Sequence, residues 1–434
     1  MHAGKKENVM EKGTNNIGMD LGTFTTSVSP SKHLLRKKAR PLKITHVNHA
    51  SLLIEADGEF ILTDPWYLSP AFGGWTQNLS PSVETIRTIL SIPPDKLRVV
   101  ISHGHDDHLD EFFIASHLGR CQIYVPQFKT NGLSKRIERL TGIYPTELSA
   151  KPLSVGGFSL AAYINEDFTN YDALILVGSK NHGLIHANDN WHRYPVQLID
   201  QLKAFIAKFQ RENVFFLTQF GIADCFPLNY PDYSPEEALE IVRKRYVSYG
   251  EAISSNIERL GLPCAYCYAN QSTYRSPAPY AGISLYELAQ QYISSSGLPI
   301  RQLTPNAELN SNGILRPAET YGDLFTFCLK FLERAVQERI GPDWRLKFLL
   351  PDETPDAEDV AYQADRVTWQ RILIGELTLE SIIIGGMGLV FKPKARNIAE
   401  VHHKVSKVAY LIQSGIKKYG ISFYFREPSN INFG

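Results

Sequence analysis

From His103 to His108 the chain reads His-Gly-His-Asp-Asp-His, three histidines and two aspartates in six positions. Imidazoles and carboxylates are the ligands of divalent transition metals, and this density of them points to a metal site. Residues 99–101, Val-Val-Ile, are β-branched and predict a short buried strand that ends where Ser102 opens a polar loop. Such a strand end holds the following backbone still. His103 and His105 then fall on one side of the loop while Asp107 and His108 turn to another, so one segment can feed two adjacent metal positions.

The elements that must hold this segment lie on both sides of it. From Leu42 short apolar runs at 44–47, 51–56 and 60–63 form a β-meander, with Asp57-Gly58 as a tight hairpin signal. The meander delivers Thr63-Asp64-Pro65-Trp66 at a strand end. Residues 68–75, with Pro70, Gly73, Gly74 and two aromatics, predict a loop over the cleft, the usual place of substrate contacts. Helices at 82–91 and 111–118 and strands at 122–125, 157–164, 173–178 and 184–187 continue as β-α alternation. Helices over 194–210 and 234–260 follow. The second is well punctuated, with Ser234 as N-cap, Pro235 at the first helical position, Glu236 and Glu237 in the first turn and Gly261 past the end.

A strand over 263–269 closes a first domain, and Ser276-Pro277-Ala278-Pro279 predicts a linker. Beyond it, helices at 285–294, 318–340 and 395–412 and a strand at 345–350 make an α+β second domain. The expected organisation is thus a loose extension over 1–40, a metal-binding domain over 41–275 and a C-terminal domain over 276–434. His402 and His403 point about 100° apart on a helix and cannot chelate one ion together.

With 434 residues, 43% hydrophobic and 21% charged, the chain has the composition of a soluble globular protein too long for one ordinary core. Lys+Arg and Asp+Glu are equal at 45 each, which provides no field to attract nucleic acid or an anionic membrane. The longest weakly polar run, 381–391, is far short of the roughly 20 residues a membrane span needs. No signal peptide is visible after Met1. The five cysteines, Cys121, Cys225, Cys264, Cys267 and Cys328, are odd in number and mostly isolated, which fits a reducing compartment, so a cytoplasmic protein is expected.

The pattern His103-x-His105-x-Asp107-His108 after a strand resembles the signature of the metallo-β-lactamase superfamily. The resemblance implies an α/β protein, an αβ/βα sandwich with its site at one edge, here with a C-terminal α+β domain. It implies that His103 and His105 bind one metal, that Asp107 and His108 bind a second, and that a later aspartate, matched by Asp189 at a strand end, bridges both. Asp64 matches an aspartate behind the site that orients a ligating histidine, and His49 matches a histidine near the cleft; Asp107, Asp64 and His49 are therefore the candidate catalytic residues. Where the superfamily supplies a third histidine for the first metal, this chain has Glu166 and Asp167. His182 and His186 are expected to be exposed turn residues. Residues 215–230 offer Gln219, Asp224 and Cys225 but no last histidine for the second metal, which predicts a weak or empty second position.

Within the superfamily the chain is most similar to the CMP-N-acetylneuraminate hydroxylase branch, through Asn48-His49-Ala50, Thr63-Asp64-Pro65-Trp66, the metal motif, Cys225-Phe226-Pro227-Leu228 and Val401-His402-His403. That likeness implies an iron- and O2-dependent hydroxylation, but without the Rieske domain, since residues 1–40 contain no cysteine. Electrons would then come from a separate donor protein or from the substrate. Two functions stay open. One is a non-haem iron oxygenase with one or two ions, His103, His105 and a carboxylate from Glu166 or Asp167 holding the first. The other is a zinc-dependent hydrolase of a phosphoester, lactone or amide. Both act on a small-molecule substrate.

Overall fold

The computed structural model describes residues 42–164, 172–222, 224, 226–228, 230–269, 272–274, 284–310, 322–341, 344–383, 385–392 and 397–427. Glu166, Asp167, Cys225, the expected extension over 1–40 and the expected linker lie outside them.

Two seven-stranded sheets face each other. The first runs in the order Glu308–Leu309, Lys43–Asn48, Ser51–Ala56, Glu59–Thr63, Leu97–Val100, Gln122–Pro126, Thr146–Leu148. The second runs Ile300–Gln302, Ala265–Tyr268, Val214–Gln219, Gly183–His186, Ala173–Gly178, Phe158–Ile164, Leu153–Val155. Each sheet begins as an antiparallel meander and continues as parallel strands. Asp57 and Gly58 turn the hairpin between Ser51–Ala56 and Glu59–Thr63 with φ of 51° and 81°, as the Asp-Gly signal requires.

Parallel neighbours need crossovers, which the helices Val83–Ser91, Leu285–Ser296 and Pro235–Leu260 supply among others. The last of these carries the full capping box of Ser234 and Glu237, Pro235 at its start and Gly261 at φ 68° past its end. Its buried face, Val242, Tyr246, Ile253 and Ile257, packs on the outer side of the second sheet. Ile44, Leu52, Ile54 and Val100 from one sheet meet Leu160, Ile175, Leu184 and Leu217 from the other, so the inner core lies between the sheets and helices cover both outer faces. This four-layer αβ/βα arrangement is the metallo-β-lactamase fold.

Past residue 275 the structure adds detail that the sequence did not reveal. The helix Leu285–Ser296 and the strands Ile300–Gln302 and Glu308–Leu309 still belong to the sandwich, each strand extending one sheet at its edge. The elements after residue 322 form a small sheet of Leu346–Leu349, Val360–Ala364 and Gly388–Phe391 with the helices Leu324–Ile340, Arg366–Leu373 and Ile398–Tyr419. Their apolar side chains, among them Phe331, Trp369 and Phe423, join one continuous core with Leu62, Val99 and Ile101 of the first sheet. No helix among the described residues is long and apolar enough to cross a membrane.

Candidate metal centre

The motif loop is held at both ends by aspartates that lie elsewhere in the chain or at its close. Asp64 follows the strand Glu59–Thr63 with φ 39°, a left-handed conformation that Asp tolerates better than most residues. Its Oδ1 accepts the Ser102 N–H at 2.7 Å and its Oδ2 accepts the Ser102 hydroxyl at 2.8 Å. At the other end Asp110 caps the helix Glu111–Ser116, and its Oδ2 accepts the N–H groups of Tyr67, Leu68 and Ser69. From outside, Arg136 donates to the Gly104 carbonyl at 2.7 Å, to Asp106 at 2.8 Å and to Glu111 at 2.7 Å. Asp106 in turn accepts the N–H of Phe72, tying the loop over the cleft to the motif.

Held this way, the side chains fall into two sets. In the first, His103 Nε2 lies 2.9 Å from His105 Nδ1, 3.5 Å from Asp189 Oδ2 and 3.4 Å from Asp172 Oδ1. In the second, Asp107 Oδ2 lies 3.1 Å from His49 Nε2 and 3.9 Å from His108 Nε2. Asp189 stands between them, since its other oxygen, Oδ1, is 3.3 Å from His108 Nε2. The potential ligand atoms of His103, His105 and Asp189, and separately those of His49, Asp107 and His108, lie within 4.8 Å of one another.

The hydrogen bonds decide which ring nitrogens face inward. Burial alone would raise the Asp64 carboxyl, but hydrogen bonds from His108 and His186 outweigh it and hold its pKa well below the ordinary carboxylate value. As an anion it only accepts. Ser102 Oγ donates to it and therefore accepts from His103 Nδ1 at 3.0 Å, leaving the Nε2 lone pair of His103 toward Asp189. His108 Nδ1 lies 3.3 Å from Asp64 Oδ2, which likewise turns Nε2 inward. One buried carboxylate thus presents two imidazoles with their lone pairs toward the centre.

The electrostatics are those of a site made for cations. Burial and the adjacent His108 push the pKa of His103 down. For His108 burial also opposes protonation, yet the Asp189 and Asp107 carboxylates hold its pKa well above the ordinary value. Asp107 Oδ1 is buried and has no hydrogen-bond partner among the described residues. Asp64, Asp107, Asp172 and Asp189 bring four negative charges into a largely water-free space, which is costly unless positive charge joins them. Two divalent ions would supply four positive charges, and the imidazoles and carboxylates present are their ligands, so the residues fit a two-metal group.

Several sequence expectations change here. His182 and His186 are buried rather than exposed; His186 is wholly enclosed, with Nε2 3.1 Å from Asp64 Oδ2. A turn residue between short strands looks solvated in sequence, but this return strand lies inside the second sheet. Gln219 donates to the Gly221 carbonyl, and Asp224 is engaged by both Nη atoms of Arg245 at 2.8 and 2.7 Å. The imidazole that reaches the second set is His49, from the turn after the strand Lys43–Asn48, with φ 48°. Glu166 and Asp167 are not described, whereas Asp172, which sequence reasoning passed over as the first residue before a strand, reaches His103. Tyr268 and Ser102 were also missed, since a strand tyrosine and a loop serine carry no spacing signal.

The fold and this site define a protein of the metallo-β-lactamase fold. No protein-family profile and no curated protein matches the sequence. Among solved structures the chain is similar to CmlA, a diiron β-hydroxylase from Streptomyces venezuelae, with 16% identity over 62% of this chain and 54% of that one and a TM-score of 0.41. It is similar to Igni18, a metallo hydrolase from Ignicoccus hospitalis, with 15% identity over 64% and 100% and a TM-score of 0.39. An isothiocyanate hydrolase from Delia radicum gut bacteria shares 12% over 63% and 100%, with a TM-score of 0.40. This chain therefore aligns with just over half of the CmlA chain. These likenesses stay at the level of general architecture and join oxidative and hydrolytic enzymes alike.

Proposed function

We propose that this protein is a non-haem iron oxygenase that hydroxylates a small polar substrate with O2 at a two-metal centre. The observation that carries the reading is the carboxylate of Asp172, 3.4 Å from His103 Nε2 and a few residues past Glu166 and Asp167, which stand where the superfamily resemblance implies a third histidine. His103 and His105, grouped with Asp189, and a further carboxylate, Asp172 beside His103 or one of Glu166 and Asp167, would then give two histidines and a carboxylate for the first ion. Asp107, His108 and His49 would hold the second, with Asp189 bridging. When bound, iron would supply the activation of O2; hard oxygen donors favour its higher oxidation states, whereas a hydrolytic zinc gains from neutral histidines.

The residues around the ligands have their own tasks. Asp64 and Ser102 orient His103 and His108. Phe72, in a left-handed conformation at φ 49° and half exposed, stands 5.8 Å from the His105 ring and presents an apolar surface to an incoming substrate. The electrons would come from a separate protein or from the substrate itself.

A zinc-dependent hydrolase of a phosphoester, lactone or amide is the second reading. His49 beside Asp107 favours it, since it restores a histidine to the second set. Elemental analysis of protein purified without added metal, followed by anaerobic Fe(II) loading and exposure to O2, separates the two. The oxygenase requires iron near two per chain and an optical change on O2 addition. Zinc at full occupancy, no optical change and hydrolysis of phosphoesters or lactones would overturn it.

A further inference from the structure

We infer that His186 and Tyr268 are positioning residues, which carry a buried hydrogen-bond chain from the carboxylate behind His108 to the backbone that presents Asp189. The inference rests on the reading of the centre as a metal site. None of Asp64, His186, Asn188 and Tyr268 has measurable solvent exposure. His186 Nε2 lies 3.1 Å from Asp64 Oδ2, His186 Nδ1 lies 2.7 Å from the Tyr268 hydroxyl, and the Asn188 N–H donates to that hydroxyl at 3.1 Å.

The order of donors follows from the end of the chain that can only accept. The ionised Asp64 receives the proton on His186 Nε2. In the assignment that leaves no proton without an acceptor, Nδ1 of His186 offers its lone pair, the Tyr268 hydroxyl donates to it, and the hydroxyl oxygen is then free to accept from Asn188.

Asn188 is where the chain acts. It has φ 53°, and this left-handed turn swings the backbone from the strand Gly183–His186 toward Asp189. Three of its polar groups are held: its N–H by Tyr268, its Nδ2 by the carbonyls of Ala173 and His186, and its carbonyl by the Gln219 N–H. Asp189 is the next residue, and its Oδ1 returns to His108 Nε2, which closes a ring of contacts through Asp64. His108 comes from the first sheet's loop and Asp189 from the second sheet's strand end. The His186–Tyr268 pair therefore fixes the distance between ligands that no single sheet could set.

The test uses the full chain stripped of metal by a chelator and titrated with Co(II), followed by calorimetry and by the ligand-field absorption of the bound ion. Wild type takes two equivalents. Tyr268→Phe, which keeps the ring and removes the hydroxyl, is expected to bind at least one equivalent roughly ten-fold or more weakly, with an altered Co(II) spectrum. His186→Gln, whose amide can still donate to Asp64 and accept from Tyr268, is expected to hold affinity near wild type, while His186→Leu loses it; this pair decides the matter should Tyr268→Phe not fold. A packing role alone would lower thermal midpoints but leave affinity and spectrum unchanged, with Gln no better than Leu, and that result overturns the inference while leaving the metal centre standing. A wild type that takes up no Co(II) overturns both.

Discussion

The imidazole of His49 lies 3.1 Å from the carboxylate of Asp107, a residue 58 positions away in the chain. The contact completes a three-residue set in which no two members come from the same turn of backbone except Asp107 and His108. His49 is packed edge-on against Trp66, at 4.9 Å between rings, and His46 Nε2 lies 2.8 Å from its carbonyl. These contacts hold a residue whose backbone is in the left-handed region. His49→Ala is expected to lower bound metal by about one ion per chain and to leave the first set loaded. His402→Ala, on a helix of the C-terminal sheet region, serves as the control. Metal analysis of the purified variants checks this; an unchanged ratio in His49→Ala removes it from the ligand set.

Asp189 divides its two oxygens between the two histidine sets, so its loss should affect both ions. Asp189→Ala is expected to retain little metal, whereas Asp172→Asn keeps the second ion and loses affinity for the first by one to two orders of magnitude. If Glu166→Gln or Asp167→Asn instead produces that loss and Asp172→Asn does not, the carboxylate of the first set is misassigned. Metal affinity measured on the four variants distinguishes the cases.

His46 offers a pH dependence that can be signed. Burial pushes its pKa down to about 4 from 6.5, against the pull of the His49 and Thr304 carbonyls at its two ring nitrogens. The unfolded chain therefore binds the proton first. The contribution of His46 to stability is complete above pH 6.5, falls as pH drops from 6.5 to 4 and levels off below, by at most about 3 kcal/mol. Thermal midpoints of wild type and His46→Asn across this range should converge on the acid side. Parallel curves would show that His46 does not titrate in this window.

Leu42 is buried and the strand Lys43–Asn48 follows it at once. Deletion of residues 1–40 is expected to shift the thermal midpoint by less than 2 °C and to leave metal stoichiometry unchanged. Unfolding of the truncated protein would place the extension in the fold.

How much of this was legible in one dimension depends on the reach of each interaction. The Asp57-Gly58 hairpin, the capping box at Ser234 and Glu237, and the motif strand with its three histidines are local events, governed by φ preferences and by donors within four residues, and all are readable as spacing. Asp64 and Asp189 were found through the resemblance, and the structure brings both to the histidines. His186, Tyr268, Asp172 and the place of His49 in the second set were not readable. Each meets its partner across the gap between two sheets or across some tens of residues of chain, and no periodicity encodes such a meeting. The return strand that looked like a solvated hairpin is enclosed because a third strand, Val214–Gln219, comes back to lie beside it after a helical crossover. Residue types and spacing thus pointed to the His103–His108 loop as a candidate metal site. Only the closing of one sheet over the other decided which carboxylates and which further histidine share that space, because burial and charge pairing depend on distance in three dimensions rather than on order along the chain.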